Sequence, residues 1–427
     1  MTDPGTRTPG LPRRAAPALL GYAAVRALGL IVLALWSAAR GKSAYTLLTA
    51  RWDALWYARV AERGYGYEVR LPGGDVHSDL AFFPLLPWLE RLGAAVTPLS
   101  YADAGFAVGV LASLAAACGI FAVAERLYGS RAGACAVLLW AVLPVGIVQS
   151  MAYSESLFTA AAAWTLYAVL TGRWVTAGAL ALLAGLTRPV GLAVVAAVWT
   201  AGVAALGRAG GVASFVRNRG TAPAGGARRT ERAPRAADSH RGRRVPAPDS
   251  ARDTPRARLR APGTRIALGL LLAPLGVAGY VLWVGHRTGR GPLGYLDVQA
   301  GWRNGFDGGY AFARFVAGKF TSFPSALAGV GLIAGVGLLL WLYAVCVRQR
   351  QPLPLLVYAG AVTALALCAS SYFGSKPRLL LPAFPLLLPL AVALSRLRTA
   401  RSALLLGAVA LVSAGYGAFW LNGTGPP

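Results

Sequence analysis

The sequence predicts an all-α polytopic membrane protein, on three observations. Apolar residues make up 56% of the 427, and mean hydropathy is +0.53. Only 14% of residues are charged, against roughly 25% in a soluble domain. Apolar runs of about 20 residues recur from end to end, each long enough to cross a bilayer as a helix. A soluble enzyme, a disordered chain and a secreted disulfide scaffold do not fit this composition.

The elements follow in order. The first run, about 18–39, is long for a signal-peptide core and reads as a retained first helix. Further spans are expected at about 104–124, 132–149, 154–171, 174–187, 190–207, 266–285, 322–347, 353–371, 379–394 and 402–420. That gives a bundle of about 11, within a range of 9–12. The stretch 174–207 is broken by Thr187-Arg188-Pro189, so two short spans or a broken re-entrant pair fit better than one helix. In the long segment 40–103, Trp52, Leu55, Trp56, Arg59 and Val60 recur at three- and four-residue spacings. Residues 52–63 therefore predict an interfacial helix, and 82–96 a second one or a short twelfth span. Residues 208–265 are low-complexity Arg/Pro/Ala/Gly/Ser sequence and are expected to be disordered. The organisation is then a tail 1–17, a membrane region 18–207, the basic loop 208–265, a membrane region 266–421 containing the loop 286–321, and a tail 422–427.

Net charge is +26, from 42 basic and 16 acidic residues. The 208–265 loop alone holds 15 Arg and four acids, or +11 of that sum. Phe215 is its one aromatic residue, so nucleic-acid binding has little support, and a basic loop beside anionic membrane lipids is the simpler account. Arg13, Arg14, Arg126, Arg131, Arg173, Arg348, Arg350, Arg396, Arg398 and Arg401 fall in the tail and in alternate short loops. The positive-inside bias puts that side, and the N-terminus, in the cytoplasm and the C-terminus outside. Arg26 is expected near the cytoplasmic end of the first span, within snorkelling reach of the interface. Cys118, Cys135, Cys346 and Cys368 are far apart and read as small buried hydrophobes. Three histidines leave little room for a histidine-based metal cluster.

The external side collects the candidate chemistry. Asp53, in R51-W-D-A-L-W-Y57, can act as a general base toward a sugar hydroxyl. Trp52, Trp56 and Tyr57 offer flat faces to a sugar or a polyprenyl chain. An interfacial acid paired with Arg51 or Arg59 would show the same pattern. Asp75, His77 and Asp79 are weak candidates for a divalent cation, or equally for a helix cap or Asx turn. No other cofactor is called for. Glu155 stands at the mouth of the fourth span, where an ionisable group is paired, solvated, functional or a first-turn helix carboxylate. Arg188, Lys376 and Arg378 depart from the positive-inside pattern. Their common side suggests a phosphate site beside Asp53, with snorkelling to outer-leaflet headgroups as the alternative. No Walker loop or Rossmann fingerprint occurs, which favours a lipid-linked substrate over a nucleotide.

Four stretches together resemble the PIG-V-type mannosyltransferases, of the GT-C class of polytopic glycosyltransferases. They are R51-W-D-A-L-W-Y-A-R-V-A-E-R-G-Y65, D79-L-A-F-F-P-L-L-P87, A152-Y-S-E-S-L-F158 and P377-R-L-L-L-P-A-F-P385, with A-G-L-T-R-P-V-G191 a weaker fifth. The similarity covers about 45–390 apart from the basic insert. It implies a GT-C-like bundle, a polyprenyl-phosphate mannose donor, external catalysis with inversion, and Asp53 as the base. Phe82 and Phe83 join the aromatic contacts, and Asp79 and Glu155 are supporting acids. Lipid, glycan and protein all stay open as acceptors. The Ala/Gly/Arg-rich composition resembles that of a high-GC bacterium, so a bacterial plasma membrane is expected. A transporter or flippase of a lipid-linked sugar is the runner-up. It would need ionisable residues within the spans and a repeat relating two halves, and no such repeat is found.

Overall fold

The computed structural model describes residues 10–219, 262–370, 372–423 and 425. Most of the expected basic loop lies outside the described residues. Its two ends do not: helix runs through Arg219 on one side and resumes at Pro262 on the other.

Helix α1 (Leu11–Ala39) carries Pro12 in its first turn, where a missing N–H leaves no bond unmade. The segment that follows then folds as α2 (Ala44–Thr49), α3 (Asp53–Arg63), a hairpin of β1 (Glu68–Arg70) and β2 (Val76–Ser78), and α4 (Leu85–Val96). Helices occur in both of the expected places, α3 within 52–63 and α4 within 82–96, with α4 starting at Leu85. The antiparallel hairpin, in register Glu68↔Ser78, is an addition. α5 (Tyr101–Tyr128) begins on a side-chain cap. Ser100 Oγ accepts from the Asp103 N–H (3.2 Å) and donates to the Asp103 carboxylate (2.6 Å). α6 (Ser130–Ala141), α7 (Ser154–Leu170), α8 (Trp174–Gly185) and α9 (Gly191–Arg219) follow, then α10 (Pro262–Leu272), α11 (Leu275–Thr288), α12 (Gly294–Gly301) and α13 (Tyr310–Gly318). The chain closes with α14 (Ser325–Arg348), α15 (Leu353–Cys368), the short α16 (Lys376–Leu379), α17 (Leu388–Arg396) and α18 (Thr399–Leu421).

Each expected run falls on helix, but not each is a full crossing. Among the described residues six helices are long and apolar enough to span, or seven if the pair 373–379 and 384–396, bent by 74°, counts as one. α6, α8 and α15 are shorter apolar helices, and α7 has 17 residues. Hydropathy sums apolar residues but does not register where the backbone breaks. Here it breaks beyond α6 near Pro144, between α8 and α9 at Pro189, and around Pro382 and Pro385.

Such breaks leave helix carbonyls without partners inside the bundle. Arg26 answers this at α6. It is buried in the middle of α1 and donates to the carbonyls of Ala141 and Gly146. It does not snorkel, because α1 begins at Leu11 and leaves position 26 mid-helix. Small residues let the helices approach closely. A Cβ at Gly109 of α5 would overlap the Met151 carbonyl ahead of α7, and one at Gly178 of α8 would overlap Gly269 of α10.

Candidate active site

Four segments distant in sequence meet at one end of the bundle: the N-terminus of α3, the N-terminus of α7, the α8–α9 turn, and α16. They bring Asp53, Glu155, Arg188 and Arg378 together. Arg378 Nη1 lies 2.9 Å from Asp53 Oδ2, and Arg378 Nε lies 3.1 Å from Glu155 Oε1. Arg188 pairs with the same Glu155 oxygen and donates to Ser154 Oγ (3.3 Å). Asp53 therefore pairs with neither Arg51, which lies over the Trp52 ring, nor Arg59, which lies over Tyr67.

Local structure explains each placement. Trp52 has a φ of 52°, a left-handed conformation disfavoured for a bulky side chain, and it precedes the first helical residue, Asp53. A carboxylate in the first turn lies favourably in the helix dipole. Glu155 holds the equivalent place in α7, buried to 1% exposure, whereas the Asp53 side chain is 24% exposed. The accessible acid is thus Asp53, and Glu155 is the internal anchor for two guanidiniums. Glu155 Oε1 is held by ion pairing to both arginines, and neither carboxyl oxygen has an aligned hydrogen bond. Two carboxylates against two guanidiniums make the cluster formally neutral.

Tyr57 shares a hydrogen bond with Ser154 Oγ (2.8 Å), which ties α3 to α7. Arg378 also sits over the Tyr153 ring at 5.1 Å. Tyr153 and Ser154 belong to the motif that holds Glu155, but their role shows only in three dimensions. Glu155, Arg188 and Arg378 line a cavity of about 310 Å³, whose lining also includes Tyr295, Gln299, Asn304 and Phe306.

The remaining candidates lie elsewhere. Lys376 is buried, and its ammonium donates to the carbonyls of Ala366 (2.7 Å), Leu367 (3.4 Å) and Ala369 (2.7 Å). It caps the end of α15 and does not join Arg188 and Arg378, because its donors already face carbonyls. Asp79 is fully buried and accepts from the N–H groups of Gly66 (3.0 Å) and Tyr67 (2.9 Å). Burial raises its pKa above the ordinary range despite those donors. It fastens the turn after α3, outside the cluster.

Trp56 stacks on Phe82 at 5.6 Å and meets Trp302 edge-on at 5.0 Å, while Tyr57 meets Phe82 at 5.2 Å. Phe83 packs on Tyr280 at 4.4 Å. These rings form the packed wall behind the site rather than an open platform. Trp302 is the member that spacing did not reveal, although it stands in the aromatic-rich loop 286–321. Asp75 accepts from Arg303 Nε (2.6 Å) and His77 stacks on Trp302 at 4.0 Å. Asp75, His77 and Asp79 thus point to different partners. Among the described residues no group of three or more His, Cys, Asp or Glu side chains could hold a metal ion.

No protein-family model and no curated protein matches the sequence. The resemblance to the PIG-V-type enzymes therefore rests on the quoted motifs alone. Among solved structures the chain is similar to ArnT from Cupriavidus metallidurans bound to undecaprenyl phosphate, with a TM-score of 0.50 and 15% identity over 92% of this chain and 63% of that one. It is also similar to apo ArnT from the same organism, with a TM-score of 0.45 and 17% identity over 90% of this chain and 59% of that one. The chain thus spans less than two thirds of the length of the structures it matches. At these identities the likeness is one of fold, and the chain is an all-α polytopic integral membrane protein with a GT-C-like bundle.

Proposed function

We propose that this protein is an inverting membrane glycosyltransferase that moves mannose from a polyprenyl-phosphate donor to a lipid, glycan or protein acceptor. The observation that carries the reading is the meeting of Asp53, Glu155, Arg188 and Arg378 from four separate segments beside a cavity. The undecaprenyl phosphate bound by the ArnT structure of similar fold supports a donor of that kind.

In the proposed reaction the Asp53 carboxylate takes the proton of an acceptor hydroxyl as that oxygen attacks C1 of the donor sugar. The C1–O bond to phosphate breaks on the opposite face, and its electron pair leaves with the polyprenyl phosphate. Arg188 and Arg378 stabilise the charge that grows on the phosphate. Glu155 holds both guanidiniums in place, and Lys376 has no part in the step. A phosphate leaving group needs no strong general acid.

The site is proposed to face the outside of a bacterial plasma membrane, with the N-terminus in the cytoplasm. Cysteine labelling in intact cells tests that orientation, since positions 70 and 310 should react from outside and position 240 should not. For the activity, the purified protein in lipid is given labelled mannosyl undecaprenyl phosphate and, separately, labelled nucleotide sugars. Transfer from the lipid-linked sugar supports the proposal. Transfer from a nucleotide sugar alone overturns it.

A further inference from the structure

The lining of the cavity also holds a group of uncharged polar side chains that the reaction above does not use. Tyr295 lies on α12, and Gln299 follows one turn later on the same face. Gln299 Nε2 donates to the Tyr295 hydroxyl (2.5 Å), and Gln299 Oε1 accepts from Asn304 Nδ2 (3.0 Å). The Gln299 side chain also reaches the Ala81 carbonyl (3.5 Å), which links this group to the segment packed behind α3. Asn304 ends the chain of bonds, and its Oδ1 accepts no hydrogen bond among the described residues. A terminal amide with an open acceptor and an open N–H, in a cavity walled mostly by apolar side chains, is a reader of hydroxyl groups.

The charge distribution adds a constraint. Glu155, Arg188 and Arg378 are the ionisable groups with side-chain charge at neutral pH in the described lining. Glu155 is already paired with both arginines. The uncharged group offers no counter-charge, so burying an ammonium or a carboxylate against it leaves that charge unpaired. Within its volume of about 310 Å³ the cavity has room for one sugar ring.

We propose that Asn304 and Gln299, with Tyr295 behind them, recognise the transferred sugar and restrict it to an uncharged polyhydroxylated ring. This rests on the donor reading given above. The arginine side takes the phosphate, the amide side reads the ring hydroxyls, and charged sugars are rejected for want of a partner.

The test uses binding, so that it does not depend on knowing the acceptor. Affinities of the full chain in nanodiscs are measured for undecaprenyl phosphate and for its mannosyl, amino-sugar and glucuronyl esters. The quantity read is the affinity for each ester relative to the bare lipid phosphate. For the wild type the mannosyl ester should bind about tenfold more tightly than bare lipid, the gain of one or two good hydrogen bonds. The charged esters should show no such gain. Asn304→Ala should bring the mannosyl ratio close to one, and Asn304→Asp should shift preference to the amino-sugar ester. A mannosyl ratio unchanged in both variants, or charged esters that gain as much as mannose in the wild type, overturns this inference and leaves the donor reading standing. Absence of any binding of bare undecaprenyl phosphate to the wild type overturns the donor reading and this inference with it. Size-exclusion profiles confirm that each variant is folded, and Asn304→Asp keeps the test open if the alanine variant is not.

Discussion

Replacing Asp53 by Asn should move turnover and donor affinity in opposite directions. The substitution keeps the shape of the side chain but removes its charge and its capacity to take a proton. Loss of a general base lowers the rate roughly 10²–10⁴-fold, or about 3–5 kcal/mol in the barrier. The affinity change follows from the charge count. Asp53 and Glu155 balance Arg188 and Arg378, so the resting cluster is neutral, and Asp53→Asn makes it +1. Arg378 then loses the carboxylate at 2.9 Å that competes with a donor phosphate for its N–H groups. The Asp53 side chain is partly exposed, so screening reduces the gain to roughly 1 kcal/mol, about fivefold tighter binding. Single-turnover transfer from labelled mannosyl undecaprenyl phosphate gives the rate, and equilibrium binding in nanodiscs gives the affinity. Turnover within threefold of wild type would refute the base assignment. A large rate loss with weakened donor binding would mean that Asp53 only braces Arg378, and that the arginine collapses without it.

Three further outcomes follow from other parts of the structure. Lys376→Met should lower thermal stability, since a buried ammonium bonded to three carbonyls is lost, while the folded fraction keeps wild-type affinity for undecaprenyl phosphate; a tenfold affinity loss would return Lys376 to the phosphate site. Gly109→Ala should destabilise by about 1–3 kcal/mol and slow transfer, because the added Cβ presses on the Met151 carbonyl just before Tyr153 and Glu155; wild-type melting and rate would refute that packing. Glu90 on α4 is fully buried with neither carboxyl oxygen hydrogen-bonded, and burial raises its pKa well above the ordinary glutamate range. A group with a raised folded-state pKa contributes stability below its unfolded value and loses it as pH rises through the folded value. Glu90→Gln should therefore flatten the Tm–pH profile and exceed the wild-type Tm at alkaline pH, and parallel profiles would show that Glu90 does not titrate in this way.

The parts of this fold that were legible in the sequence are those set by composition and short-range spacing. Apolar runs located the helices, and the spacing of Trp52, Trp56, Arg59 and Val60 located α3 in the segment after α1. The common side of Asp53, Glu155, Arg188 and Arg378 was also legible, because loop charge alternates with each crossing. Lys376 could not be separated from Arg378 by that reasoning. Two residues apart, they share a side, and only the path of the chain shows that one ammonium turns back onto α15 while the guanidinium turns to Asp53. Arg26 misled for a similar reason. Its depth depends on where α1 starts, and hydropathy fixes helix ends poorly. The aromatic residues looked like open stacking faces in sequence, but Trp302, far along the chain, closes over Trp56 and Phe82.

The shared arginine bears on how such a site could avoid idle chemistry. In the resting arrangement Arg378 lies against both carboxylates, and its Nη1 and Nε are held by ion pairs whose N–H directions are not aligned as hydrogen bonds. A guanidinium so placed can re-aim toward a phosphate without first breaking an optimal bond. Under the proposed mechanism, the donor phosphate draws Arg378 away from Asp53 and leaves that carboxylate open to an acceptor hydroxyl. Donor binding and base activation then become one event, and Glu155 is what permits it. Held at 1% exposure between Arg188 and Arg378, it keeps both guanidiniums from leaving the cavity wall while one of them changes partner. Glu155→Gln should on this argument be more damaging than its distance from the reacting hydroxyl suggests, because it frees both arginines at once.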